Sequence, residues 1–243
     1  GYSEERHYKN RYMSKSNFIL HINSTTGICS VAISDGDRLI THKETTEANS
    51  HTEVITVFIQ ELMDLAKIGY RDLAAVSLAS GPGSYTSLRV GCSTAKGICF
   101  AHDIPLITIP SLDVLASSCI TSAIEGDFII PMLDARRMEV YTAVYDHDGN
   151  KLDTDHALVV DKAAYSDYVD MGIAHHIVGN GAEKTLDLLS QPKILLHKHY
   201  SSAIHMVNLA YKALLAEDFS DLGYYEPFYL KGANVTKSNK KYF

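Results

Sequence analysis

The chain has 243 residues, 46% hydrophobic and 21% charged, a balance that excludes disordered, collagenous and coiled-coil proteins and leaves a globular chain able to bury a sizeable core in one or two domains. No apolar run reaches the roughly 20 residues of a membrane span, and no signal-peptide pattern opens the sequence. The formal charge of −7 is uneven: residues 16–230 hold 14 basic and 27 acidic residues, a formal −13, so the body repels phosphate backbones and does not grip a nucleic acid unaided.

Residues 1–15 read as a disordered leader. The body begins at Phe18–Asn23 (FILHIN), a short apolar strand, followed by a turn at Ser24–Gly27. Ile28–Ser34 alternates as a second strand, Asp35–Asp37 makes a tight hairpin turn, and Arg38–Thr45 is a third strand. From Ser50 the period changes to helical. Val54, Ile55, Phe58, Ile59, Leu62 and Met63 share one face, with Ser50 as N-cap and Glu53 completing a capping box. Leu73–Ser80 is a nearly continuous apolar run, as in a strand buried on both faces. A Gly-Pro-Gly loop leads to a helix at 87–101, then a strand at Pro105–Ile109 and a helix at Leu112–Ile120. An antiparallel meander followed by two parallel crossovers predicts a five-stranded mixed sheet with helices on its faces, as in ribonuclease-H-like and actin-like units.

The second half is a fainter echo. Phe128–Leu133 and Glu139–Asp146 form a hairpin around DARRM, with a third strand near Ala157–Val160. A helix near Lys162–Val169, a strand at His175–Val178, a helix near Glu183–Leu189, a strand at Ile194–Leu196 and a long helix at Ser201–Glu217 complete it. The fold class expected is therefore α/β, two tandem actin-like domains with mixed sheets: 16–122, and a smaller 123–232. Residues 233–243 form a basic tail. Its lysines, with Lys231, either touch RNA or are a solvated end.

Chemistry-bearing residues are sparse. In HINSTTG (His21–Gly27) the position where actin-like ATPases carry a metal-holding Asp is Asn23, and an amide is a poor ligand for a hard cation. Ser24 and Thr25 read first as hydroxyls of a hairpin turn. In SGPGSYTSLRVG (Ser80–Gly91), Gly81 and Gly83 free the backbone while Ser84, Thr86 and Ser87 sit at a helix N-terminus, which suits either an anion site or a structural strand-to-helix turn. There is no Walker A loop and no nucleophile elbow. On the following helix Arg89, Ser93 and Lys96 make a narrow polar stripe, while Leu88, Gly91, Cys92, Ala95 and Cys99 belong to an apolar arc wide enough for burial on two sides. Gly91 and Ala95 would admit a close partner helix; the chain's own second half could equally cover them. His51 lacks a second histidine one turn on, where Ile55 stands, and His175, His176, His197 and His199 read as surface histidines, so neither a metal site nor a cofactor is expected. The four cysteines form no CxxC and read as reduced thiols of a cytoplasmic protein, Cys92 and Cys99 as small core residues.

ILHINSTTGICSVAI, the SH-x-E of Ser50–Glu53, the GPGSYT-x-LRVG segment, IPLITIPSLDVLA, LDARRMEVYTAVY, VGNGA (Val178–Ala182) and EPFYLKG together resemble the TsaB family, also called YeaZ, over residues 18–232. That resemblance implies two actin-like domains, a cytoplasmic location and no catalysis of its own. It implies a subunit that pairs with TsaD, works with the ATPase TsaE on threonylcarbamoyladenosine (t6A) at position 37 of tRNAs reading ANN codons, and forms a homodimer when alone. The implied partner surface comprises Leu88, Arg89, Gly91, Cys92, Ala95, Lys96 and Cys99 with His51, Val54 and Phe58, and a vestigial nucleotide or anion site falls on Ser24, Thr25, Gly81, Gly83, Ser84 and Thr86. Two residues depart from the family pattern: Asn23, where Asp is usual, and Ser87, where Gly is usual. The rival classes are an active actin-like kinase or ATPase and a glycoprotease-type metallopeptidase.

Overall fold

The computed structural model describes residues 16–45, 51–168 and 173–230. The leader, Ser50 and the basic tail lie outside these residues, as do the side chains of His51 and Glu53. β1 (Phe18–Asn23) is the centre of the first sheet. β2 (Ser30–Asp35) pairs antiparallel with it, and β3 (Arg38–Glu44) antiparallel with β2. β4 (Leu73–Ala79) pairs parallel with β1, and β5 (Leu106–Ile109) parallel with β4, giving the order β3-β2-β1-β4-β5. The apolar runs of β1, β2 and β4 are buried along nearly their whole length because helices cover both faces. On one face, α1 (His51–Ala66) and α2 (Tyr85–His102) pack Ile55, Phe58, Leu62, Cys92, Ala95 and Cys99 against Leu20, Ile22, Val31 and Leu78. α2 ends at Asp103, whose left-handed backbone returns its N–H to Cys99.

The second sheet repeats this connectivity. β6 (Phe128–Asp134) pairs antiparallel with β7 (Glu139–Thr142), β7 antiparallel with β9 (His156–Val159), β6 parallel with β10 (His175–Val178), and β10 parallel with β11 (Ile194–His197). The strand expected to run from Glu139 to Asp146 breaks at Ala143–Val144; its end is a separate β8 (Tyr145–Asp146), which pairs with the start of β6.

The helices of the second half differ from expectation. Of the segment expected as a helix near 162–169, the described residues 162–168 contain only a 3-10 turn (Ser166–Tyr168), because Tyr165 takes a left-handed conformation that ends any helical run. Glu183–Leu188 is likewise 3-10 rather than α. The closing helix is split into a 3-10 turn (Ala203–Met206), capped by the Ser202 hydroxyl, and α4 (Val207–Leu215). These last two elements cross back to the first sheet: Ala203, Met206 and Ala210 pack with Ile19, Ala32, Ala75 and Ile107 on the face opposite α1 and α2. α3 (Ser111–Ser117) joins the sheets, giving Val114 to that cluster and Leu112, Leu115 and Ala116 to a core with Ile129, Leu133 and Val178.

Candidate functional site

The loops after β1, before α2 and between β6 and β7 converge on one cleft of about 1110 Å³. Thr26 and Gly27 form one wall with the 82–86 loop, the 133–139 hairpin forms the other, and Asn180, Tyr229 and Leu230 close the ends. Two of its parts are laced together tightly. The Ser84 N–H donates to the Thr25 carbonyl at 2.8 Å, and the Ser24 hydroxyl donates to the Ser87 carbonyl at 2.7 Å. A Cβ on Gly83 would lie 2.3 Å from the Thr25 carbonyl oxygen, so only glycine allows this approach. Gly81 needs its freedom for two reasons: φ is +109°, and a Cβ would meet the Phe228 carbonyl oxygen at 2.3 Å. Phe228 belongs to the 221–229 segment, whose N–H donates to the Ser80 carbonyl and straps this end of the chain over the loop.

The expected anion-site hydroxyls divide accordingly. Ser24 and Thr25 are buried and turned inward; Thr25 donates its hydroxyl to Asn23 Oδ1 at 2.8 Å, and its N–H reaches the same oxygen. Gly81 lies under the strap. Gly83, Ser84 and Thr86 line the cleft, joined by Thr26, which sequence reasoning did not single out. Asn23 is fully buried, and its Nδ2 donates to the Ser201 hydroxyl at 2.9 Å, tying the hairpin to the segment that crosses back from the second sheet. Ser87 fits without disturbance: its hydroxyl donates to Ser84 Oγ at 3.1 Å.

The opposite wall carries Arg136 and Arg137 beside Asp134 and Glu139. Arg136 and Arg137 are exposed and both take left-handed backbone conformations, with φ of 75° and 48°. Lys184 holds this turn, reaching the Asp134 carboxylate and the carbonyls of Arg137 and Glu139 at 2.6 and 2.8 Å, while the Asp134 N–H donates to Asn180 Oδ1. The charged DARRM turn, paired through Asp134 with Lys184, thus lines the cleft. Both arginines line the same cleft as Ser84 and Thr86 at the start of α2. Among the described residues, no histidine or cysteine lines this cleft.

The partner surface read from α2 is corrected. Leu88, Gly91, Cys92, Ala95 and Cys99 all face the protein's own interior. A Cβ on Gly91 would lie 2.3 Å from Ser24 Oγ, so its smallness serves the β1 hairpin, not an incoming helix. The second covered side of the arc is closed by the chain itself: Leu222 and Tyr225 of the strap pack on the same core, and Lys96 donates to the Tyr225 carbonyl at 3.0 Å. Phe58 is buried in that core and Val54 packs against it, while the side chain of His51 lies outside the described residues. Arg89 alone of the described set is exposed, its guanidinium 4.2 Å from the Tyr85 ring centroid. The outward side of the two helices instead shows Val57, Ser93, Gly97 and Phe100, the last 83% exposed.

The histidines are also corrected. His175 and His176 are buried in β10 rather than on the surface. His21 is a satisfied core residue, bonded to Ser77 and Ser34, and burial lowers its pKa from the ordinary 6.5 to about 3. The four cysteines are buried thiols without disulfides; burial pushes Cys29 and Cys119 up to about 11 and Cys99 to about 12.

Fold and site together define an α/β protein of two mixed sheets whose loops meet in one cleft lined by hydroxyls and by Arg136 and Arg137. The family model described as "TsaD: tRNA N6-adenosine threonylcarbamoyltransferase" matches residues 42–224, and the chain belongs to this family, in its TsaB (YeaZ) group. It is 31% identical over 137 residues to "tRNA threonylcarbamoyladenosine biosynthesis protein TsaB" of Buchnera aphidicola subsp. Acyrthosiphon pisum, covering 56% of this chain and 61% of that protein. To the protein of the same name from Bacillus subtilis it is 30% identical over 135 residues, covering 56% and 58%. The chain thus spans less than two thirds of the length of these relatives. The solved structure "YeaZ from Pseudomonas aeruginosa" superposes with a TM-score of 0.77 at 21% identity, over 88% of this chain and all of that one, and shares its fold.

Proposed function

We propose that the chain is a non-catalytic subunit in t6A formation: a scaffold and activator for a TsaD-type transferase, working with a TsaE-type ATPase on adenosine 37 of tRNAs reading ANN codons. Family membership and the names of the relatives support the pathway. The observation that carries the scaffold reading is the fate of the β1 hairpin. Where an ATPase of this shape would present a carboxylate and hydroxyls to metal and phosphate, Asn23, Ser24 and Thr25 are buried and spend their polar groups on each other, on Ser87 and on Ser201. The repeated sheet connectivity supports two related actin-like units, 16–122 and 123–232, with the 3-10 turn and α4 packed back on the first.

The outward side of α1 and α2 is the docking surface in this reading, for a TsaD-type partner or, in its absence, a second copy of the chain. A half-exposed Val57 and a Phe100 that is 83% exposed give it an apolar centre. Gly97 has nothing within 4 Å of a Cβ, so a larger side chain there leaves the fold intact and obstructs only what docks. Co-purification with the TsaD-type protein of the same organism tests the proposal: Gly97→Arg and Phe100→Asp should each abolish the complex while the unfolding midpoint stays put. Complexes unaffected by either change, or turnover of magnesium-ATP by the isolated chain, would overturn it.

A further inference from the structure

A second cluster of chemistry-bearing groups lies away from the cleft, where the end of α3 meets the end of β11. Cys119, His197 and His199 each bring one ligand-competent atom within 4.8 Å of the other two. Cys119 is fully buried, His197 half-buried and His199 exposed, so the group opens to solvent on one side only. We propose that these three side chains bind one divalent transition-metal ion of the zinc class, clipping residue 119, beside the helix that joins the sheets, to the edge strand of the second sheet.

The donor set fits that class. Thiolate plus two imidazoles suits a borderline-soft ion and disfavours magnesium or calcium, which take oxygen. In a tetrahedral zinc site the ligand atoms stand roughly 3.5 Å apart, so closure needs the three groups to draw in by only about 1 Å. The exposed His199 supplies its own part of that movement. Three protein ligands leave one position for water, and the His205 ring centroid lies 6.2 Å from that of His199.

The surrounding groups are arranged as an outer shell. His176, 1% exposed, bonds Asp127 Oδ2 through Nε2 at 3.0 Å and His197 Nε2 through Nδ1 at 2.8 Å. The Asp127 carboxylate also accepts the N–H groups of Ala174 and Ile124, so it acts as acceptor and His176 Nε2 carries the proton. In that tautomer His176 Nδ1 accepts from His197 Nε2–H, which leaves His197 Nδ1 with a lone pair for a metal. A buried carboxylate fixing the tautomer of a liganding imidazole is the usual outer-shell device of metal sites. On the sulfur side the Ser118 hydroxyl, which donates to the Leu115 carbonyl at 2.7 Å, lies 3.6 Å from Cys119 Sγ.

The test uses the full chain, stripped with a chelator and titrated with Zn²⁺ and Co²⁺. One ion per chain is expected, with a thiolate-to-cobalt charge-transfer band. Cys119→Ser should abolish that band, His199→Ala should weaken Zn²⁺ binding at least tenfold, and Asp127→Asn should weaken it by about tenfold through the outer shell. Because His199 is exposed, its variant folds even if the buried Cys119→Ser does not, and it decides the matter alone. Equal Zn²⁺ affinity in wild type and His199→Ala, or no stoichiometric binding by the wild type, would overturn the site.

Discussion

Replacing Gly83 by alanine tests the lacing of the cleft most sharply. The new Cβ would stand 2.3 Å from the Thr25 carbonyl oxygen and 3.0 Å from its carbonyl carbon, both backbone atoms that no side-chain rotation can move. The 82–86 loop and the β1 hairpin must therefore separate by about 1 Å, an overpacking that typically costs about 1–3 kcal/mol. The separation also stretches the Ser84 N–H bond to the same carbonyl, now 2.8 Å, and an orphaned buried group costs about 1–3 kcal/mol. The two costs overlap because one shift produces both, and alanine returns about 0.4–1 kcal/mol by restricting the unfolded chain. A net loss of about 2 kcal/mol follows, which lowers the thermal midpoint by about 4–8 °C in a chain of this size. Gly97→Ala is the control: nothing lies within 4 Å of its Cβ, so helix propensity should raise stability by up to about 1 kcal/mol. Thermal and urea unfolding of the two variants side by side is the assay. A Gly83→Ala protein as stable as wild type would refute the close approach of loop and hairpin.

Three further outcomes follow from named groups. His21 has a folded pKa of about 3 against an ordinary 6.5, so its contribution is complete above pH 6.5 and is lost as pH falls toward 3, when only the unfolded chain takes up the proton. That loss reaches about 2 kcal/mol by pH 5, and His21→Gln should unfold in urea with a shallower pH dependence than wild type; equal slopes would count against it. Asn23→Asp puts a carboxylate in a fully buried place and removes the donor to Ser201. It should cost about 3 kcal/mol at neutral pH, and less at low pH where the carboxyl is neutral, as urea midpoints at pH 7 and pH 4 would report. Lys184→Met removes the ammonium that holds the DARRM turn, so trypsin should cut after Arg136 and Arg137 faster than in wild type; an unchanged cleavage rate would show that the turn holds itself.

The first half was legible because its signals are local. FILHIN is β1 residue for residue, and the apolar run of β4 and the period of α1 follow from burial by helices on both sides of the sheet. The failures share a cause in distance along the chain. The apolar arc of α2 is readable from its period, but which side meets the sheet is set by the contact of Gly91 with Ser24, and the other side is closed by Leu222 and Tyr225 from the strap. No periodicity within α2 announces either. Cys119 is likewise brought to His197 and His199 only by the packing of α3 on the second sheet, so no short spacing marks the cluster. In the second half the helical signals were too short to overcome a left-handed Tyr165, and 3-10 turns stand where α-helices were expected.

The scaffold role is tested most directly by reconstituting tRNA modification from purified TsaD-type and TsaE-type proteins of the same organism, a threonylcarbamoyl donor and unmodified tRNA, with and without this chain. Formation of t6A should depend on the wild-type chain and be lost with Phe100→Asp. Equal modification when the chain is left out would contradict the account.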